Sequence, residues 1–297
     1  MIYIQLNGGL GNQMFQYALG RKLSKKQGTE LFLDDKLLKY KKTSNDHTFR
    51  SFELDIFNIN KKKIEINYIK KTVFIFYRII NSIAMRLGLN SFQNSKYFVE
   101  RNFSYNKDIK KIKSDCFLSG YWQSPLYFES IESVIREDFK FPKLQKYSNI
   151  NIAKKTEDLN SVGIHLRRGD FLNSKSHGVH GTCSPEYYQS AIDFISNKIK
   201  EPTFFIFSDD QEWVKQNFNF ISNSFHISGN TGINSYRDMQ LMSRCKHNII
   251  ANSSFSWWGA WLNSNPEKII IAPKKWFSCE NLNKQTNDLI PETWVRL

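Results

Sequence analysis

Ser161-Val162-Gly163-Ile164-His165-Leu166-Arg167-Arg168-Gly169-Asp170 is the stretch on which the reading of the fold turns. It opens with a short, mainly apolar run that predicts a strand over residues 161–166, and its charged residues gather at the carboxyl end. Working outward, residues 185–200 carry a helical pattern. Ser184 stands at the cap, Pro185 at the first position, and Tyr188, Ile192, Ile195 and Ile199 share one face. An apolar strand follows over 203–207, then an acidic turn and a short helix. Beyond these the pattern gives a helix over 234–245, a strand over 247–251, a helix over 255–263 and a strand over 268–272. Successive β-α-β units of this kind imply a parallel sheet covered on both faces.

The first half opens in the same way, with a strand over 2–6, a glycine turn, a helix over 13–27 and a second strand over 30–33. From 40 to 113 the pattern is less regular. A proline (Pro142) and a polar run make 140–158 the expected linker. The expectation is an α/β protein with two Rossmann-like domains, residues 1–150 and 151–297, whose parallel sheets face a central cleft.

Composition narrows the function classes. The 297 residues are 40% hydrophobic and 15% aromatic, enough to offset the entropy of ordering, so disorder is excluded. With 14 glycines and 4 cysteines, collagen-like and disulfide-scaffold classes fall away. Cys116, Cys183, Cys245 and Cys279 form no C-x-x-C pair and read as reduced thiols. The start has neither a basic nor a long apolar region, so no signal peptide is expected. Residues 73–89, interrupted by Arg78, Asn81, Ser82 and Arg86, read as a core or surface helix rather than a membrane span.

The formal charge of +14 attracts nucleic acid, an anionic membrane or a phosphorylated small molecule. Much of it lies in lysine-rich runs at 61–63, 70–71 and 107–113. No run interleaves aromatic and basic residues as a single-strand platform does, whereas lysine clusters fit docking on anionic headgroups. A solvated face is the simpler reading of these runs.

Three clusters carry chemistry. In Asn7-Gly8-Gly9-Leu10-Gly11-Asn12-Gln13, glycines between a strand and a helix let backbone N–H groups approach an anion. Asp34 and Asp35 follow the second strand, where a dinucleotide fold keeps its ribose-binding acid. Met14, however, stands where that fingerprint has its third glycine, which argues against a nicotinamide cofactor. Asn12 and Gln13 suit a sugar or phosphate; a plain tight turn is the alternative. In the opening stretch, His165, Arg167 and Arg168 reach the carboxyl end of a strand, where open α/β sheets bind ligands, and guanidinium groups there grip a pyrophosphate. Asp170 serves either as a carboxylate for chemistry or as an orienting partner of an arginine. In Asn252-Ser253-Ser254-Phe255-Ser256-Trp257-Trp258, a serine caps a helix and can also donate to a phosphate, and Phe255 can pack on a base or ribose. Trp257, Trp258 and Trp261 read as core at helical spacing. The strand-end pair Asp209-Asp210 can meet arginines, a nucleoside or the next helix. His177-x-x-His180-x-x-Cys183 imitates a metal site, but a polar loop is the simpler reading. No D-x-D triplet occurs.

Taken together, Gly8-Gly9-Leu10-Gly11-Asn12-Gln13-Met14-Phe15-Gln16, His165-Leu166-Arg167-Arg168-Gly169-Asp170 and Asn252-Ser253-Ser254-Phe255-Ser256-Trp257-Trp258 resemble the bacterial α-1,2-fucosyltransferases of glycosyltransferase family 11. Phe207-Ser208-Asp209-Asp210 and the run from Asn265 to Ile271 look like that family too. The resemblance implies a GT-B fold and GDP-β-L-fucose as donor, with inverting, metal-free transfer to the 2-hydroxyl of a terminal galactose. It maps a β-phosphate contact onto Arg167 and sets Asn12, Ser253, Ser254 and Phe255 near donor and acceptor.

The resulting expectation has Arg167 and Asp170 as catalytic residues. Asn12, His165, Arg167, Arg168, Asp209, Ser253, Ser254 and Phe255 would bind the donor, and Asn12 and Gln13 the acceptor, with no metal or cofactor. Residues 1–150 would carry the acceptor side and 151–297 the donor side. The partners would be GDP-fucose and a galactose-terminated or lipid-linked glycan, not nucleic acid, in a cytoplasmic enzyme touching the inner membrane. A GT-B transferase of another nucleotide sugar and a basic nucleic-acid-binding protein are the rivals.

Overall fold

The computed structural model describes residues 1–39, 50–62, 79–80, 83, 96–113, 115–169, 178–218 and 221–297. Asp170, His177, Lys63, Lys70, Lys71 and most of the 73–89 helix expectation lie outside the described residues. The chain forms two compact α/β units. One runs from the N-terminus to Lys140 and takes in Asn287–Leu289; the other runs over Phe141–Thr286 and Ile290–Leu297.

In the first unit β1 (Ile2–Gln5) leads through the glycine turn into α1 (Leu10–Lys26), then β2 (Leu31–Asp34). Further along come β3 (Tyr97–Val99), β4 (Cys116–Ser119) and a short helix, α2 (Glu132–Asp138). The sheet order is β2-β1-β4-β3, all parallel. The α1 helix begins at Leu10, so Gly11, Asn12 and Gln13 form its first turn and not the approach to it. Gly8 has φ of +75° there, and a Cβ on it would press on the Asn12 side chain, which is why the turn requires glycine.

The second unit begins with α3 (Tyr147–Asp158) and β5 (Ser161–Leu166). It continues through α4 (Pro185–Ser196), β6 (Thr203–Ser208), α5 (Gln211–Asn217) and β7 (Ser224–Ile227). Then follow α6 (Tyr236–Met242), β8 (His247–Ile249), α7 (Ser254–Trp261), β9 (Ile270–Ala272) and β10 (Val295–Arg296). Its sheet runs β10-β9-β8-β5-β6-β7, parallel at every pairing.

Alternation along β6 shows how this sheet is buried on both faces. Phe204 and Ile206 pack with Tyr188, Ile192 and Val214 on one side. Phe205 and Phe207 pack with Ala153, Leu241 and Met242 on the other. Trp257 and Trp258 are fully buried, as their spacing on α7 predicts.

The expected linker needs correction. Residues 147–158 are helix α3, part of the second unit, and the units divide at 140/141 rather than 150/151. Its buried face consists of Asn149, Ala153 and Thr156, small or polar residues at helical spacing that give no apolar stripe to read. Among the described residues no helix is long and apolar enough to cross a membrane.

Candidate active site

The register of β5 and β6 builds the centre of the second unit's site. His165 lies opposite Phe207 and Leu166 opposite Ser208, so the next residues outward, Arg167 and Asp209, leave the sheet side by side. Arg167 Nη1 stands 2.8 Å from Asp209 Oδ2, and the Arg168 backbone N–H donates to Asp209 Oδ1 at 2.9 Å. Burial alone would raise the Asp209 carboxyl. The Arg167 guanidinium and the Arg168 and Gly169 backbone N–H groups outweigh it and hold the carboxyl below its ordinary range. A Cβ on Gly169 would meet Asp209 Oδ2 at 2.8 Å, so this close approach needs glycine.

The second arginine is held differently. Its guanidinium carbon lies 3.7 Å from the centre of the Trp213 ring, and Nε is 3.6 Å from Asp210 Oδ2. Asp210 also caps α5, accepting from the Trp213 N–H at 3.1 Å. Of the uses open to the acid pair, two are therefore realised: pairing with arginines and capping the next helix.

His165 is the penultimate residue of β5, two positions before the first arginine. Its ring is buried, its Nδ1 has no hydrogen-bond partner, and the Phe255 ring lies 5.5 Å away at 31°. Burial and then the Arg167 charge push its pKa well below the usual histidine range, so the ring is neutral. Tyr188 Oη donates to the His165 carbonyl at 3.0 Å, fixing the strand end from α4. Phe255 comes from the first turn of α7, the helix that follows β8, the strand on the other side of β5. Ser253 caps α7, its Oγ accepting from the Phe255 N–H at 3.3 Å, and Ser254 is the first helical residue. The site residues His165, Arg167, Arg168, Asp209, Ser253, Ser254 and Phe255 are thus gathered at one sheet edge.

Sequence reasoning missed the groups that shape this edge. Asn252 is buried and its Nδ2 donates to the carbonyls of His180 (2.9 Å), Gly181 (3.2 Å) and Trp276 (3.1 Å). The Cys183 thiol donates to its Oδ1 at 3.5 Å, and burial pushes that thiol up to about 11, which keeps it protonated and inert. Trp213 under Arg168 had a signal, an aromatic one turn past the strand-end acids; the Asn252 bracing had none. His180 and Cys183 belong to this scaffold. Among the described residues no group of three or more His, Cys, Asp or Glu is arranged to hold a metal ion.

Asn12 and Gln13 belong to the first unit. The Gln123 Nε2 donates to Asn12 Oδ1 at 2.9 Å. Gln13 is wholly buried: its Nε2 donates to the carbonyls of Gly8 (2.9 Å) and Ser51 (2.8 Å), and its Oε1 accepts from the Glu53 N–H at 2.9 Å. Its amide hydrogens and its oxygen are all engaged in holding the 51–53 segment against the glycine turn. The Glu53 carboxylate in turn accepts from the Leu10 N–H at 3.0 Å, so a protein anion stands at the start of α1. Gln16 extends the bracing, donating to the Gly120 carbonyl at 3.0 Å and accepting from the Asn7 N–H at 3.0 Å.

The family model "Glycosyl transferase family 11" matches residues 1–297. The O-antigen biosynthesis glycosyltransferase WbnK of Escherichia coli is 35% identical over the whole of both chains. The alpha-1,2-colitosyltransferase of Escherichia coli is 37% identical over all of this chain and 99% of its own. Among solved structures, the fucosyltransferase NodZ from Bradyrhizobium is similar at 13% identity and a TM-score of 0.48, over 87% of this chain and 90% of that one. The chain belongs to glycosyltransferase family 11 and is a glycosyltransferase.

Proposed function

We propose that this member of glycosyltransferase family 11 transfers L-fucose from GDP-β-L-fucose to the 2-hydroxyl of a terminal galactose, with inversion and without metal, giving an α-1,2 linkage in a surface glycan. The observation that carries the reading is the Arg167–Asp209 pair at 2.8 Å on the carboxyl edge of β5. It is supported by similarity over the full chain to the sugar transferases of Escherichia coli.

In this reading the bond between fucose C1 and the β-phosphate oxygen breaks as the galactose oxygen bonds to C1, and GDP leaves with the electron pair. Charge then grows on the β-phosphate, and Arg167, already positioned by Asp209, stabilises it where a metal would otherwise act. Arg168, His165, Ser253, Ser254 and Phe255 complete the donor side. Phe255, packed on the buried neutral His165, offers a flat ring to a base or ribose. On the acceptor side Asn12 meets the sugar, while Gln13 holds the turn that presents it. The hydroxyl proton passes to a carboxylate, for which Asp170 is the candidate. The enzyme is cytoplasmic and touches the inner membrane peripherally, where a lipid-linked glycan is presented.

Mixing the protein with GDP-fucose and a β-galactoside should yield a new α-linked disaccharide mass. Absence of product from the soluble, folded protein with a range of galactosides would sink the proposal. A second reading, GDP-colitose as donor, is favoured by the relative that is 37% identical along its full length. A donor panel decides, by comparing kcat/KM for GDP-fucose and GDP-colitose.

A further inference from the structure

The second unit carries a built polar surface at the start of α3 and the loop after β7, on the carboxyl edge of its sheet and on the far side of β6 from β5. A polar hollow of about 170 Å³ opens there, lined by Gln145, Lys146, Asn149, Asn230, Asn234 and Arg237. Its walls are fixed. Asn149 Nδ2 donates to Asn230 Oδ1 at 2.9 Å, Asn230 Nδ2 donates to Asp238 Oδ1 at 2.8 Å, and Arg237 Nη1 donates to the Pro142 carbonyl at 2.9 Å. Lys146 reaches across to the Gly229 carbonyl at 3.4 Å. The first turn of α3 has no acidic residue and no side-chain cap, so its N–H groups add to the positive field of Lys146 and Arg237.

Beside the hollow stand two large side chains with nothing to cover them: Tyr147, 77% exposed, and Ile233, 91% exposed. A second hollow of about 300 Å³ on the same helix is lined by Lys143, Leu144, Ile150, Lys154 and Arg244. Its one acid, Glu157, is paired with Arg244 at 2.9 Å. Cations around an anion-sized hollow, with an exposed aromatic and an exposed aliphatic at its rim, match a membrane interface. Aromatic rings sit there at headgroup level and lysines meet anionic phosphates. Nucleic acid would use the cations but gives Ile233 no role.

We propose that the start of α3 and the loop after β7 dock on an anionic phospholipid bilayer. A lipid phosphate sits in the hollow between Lys146 and Arg237, and Tyr147 and Ile233 enter the headgroup layer. The docking surface rests on the peripheral membrane contact proposed above and is independent of which sugar the enzyme transfers.

The test is co-sedimentation of the full chain with vesicles of phosphatidylcholine alone or mixed with phosphatidylglycerol, for wild type and two double variants. These are Lys143→Glu/Lys146→Glu and Tyr147→Ser/Ile233→Ser. Wild type should bind the phosphatidylglycerol vesicles, and the charge reversals should weaken partition by about tenfold or more. The polar replacements should weaken it severalfold. Both variants should keep wild-type circular dichroism and wild-type transfer to a soluble acceptor. Equal binding to both vesicle types, or binding by the two variants equal to wild type, overturns the proposal. So does tight duplex DNA binding that the lysine variant loses and the apolar variant keeps.

Discussion

At the carboxyl edge of the first sheet a row of side-chain amides is spent on the protein itself. Gln13, Gln16 and Gln123 bind carbonyls, the Asn7 and Glu53 N–H groups and Asn12. The Glu100 carboxylate is buried behind two backbone N–H groups, those of Tyr121 (2.6 Å) and Trp122 (2.8 Å). The same edge of the second sheet sets arginines against carboxylates. Arg167 and Arg168, four-fifths buried, face Asp209 and Asp210. An amide engaged in three directions has nothing left to exchange, so the first edge is a frame. A guanidinium lying on a carboxylate already has the geometry a phosphate needs, and it can trade one oxygen for another without refolding. One fold plan thus yields a braced rim on one sheet and, in the reading proposed above, an exchangeable anion seat on the other.

The sharpest way to break this contrast is Arg167→Ala. Removing a group matched to developing charge should lower kcat by about 10²–10³-fold with the fold intact. Arg167→Lys should restore little, because a point charge cannot reproduce the fork. Steady-state fucosyl transfer alongside circular dichroism reads both, and near-wild-type turnover in folded Arg167→Ala would erase the distinction. On the other edge Gln13→Leu should act through stability. It strands the Gly8 and Ser51 carbonyls and the Glu53 N–H, at a cost of about 2–4 kcal/mol in a urea titration. An unchanged midpoint would mean the amide frame is ornamental.

The two edges should also respond to pH in opposite senses. The Glu100 carboxyl is pushed up to about 7, burial outweighing its two N–H bonds, from an ordinary 4.5. The folded state then holds the proton more tightly, so this contribution is full below about pH 4.5 and lost as pH rises through 7. His165 is displaced downward from 6.5, so the unfolded chain takes up its proton first, and stability is lost as pH falls below that value. Of the unfolding free energies at pH 5, 6, 7 and 8, those between pH 5 and about 7 should lose a fall with rising pH in Glu100→Gln and lose a rise in His165→Gln, with little change in slope from pH 7 to 8. Identical profiles in the two variants would refute the assignment. The smallest expected effect is none at all: turnover in excess EDTA should match that in its absence, and a loss restored by manganese would overturn the arginine-based reading.

The second sheet was the more legible in the sequence. Its strands at 161–166 and 203–207 are long and apolar, and Ser184-Pro185 announces α4. The first sheet's β3 and β4 span three and four residues, too short to show alternation, and β7 carries Ser224 and His226 among its four residues. The candidate site was legible as residue types but not as pairs. Arg167 and Asp209 lie far apart in the chain, and only the parallel register of β5 with β6 makes them neighbours. A glutamine in a glycine turn looks the same in sequence whether its amide faces outward or, as in Gln13, is tied to three backbone groups.

The return of Asn287–Leu289 to the first unit bears on how this enzyme can be taken apart. Asp288 receives the Tyr105 N–H on its Oδ2 at 3.0 Å and the Ser124 hydroxyl on its carbonyl at 2.9 Å. Neither half is therefore a continuous stretch of gene. A fragment ending at Lys140 is truncated in its own interior, and expressing the halves separately requires grafting that late tripeptide onto the early one.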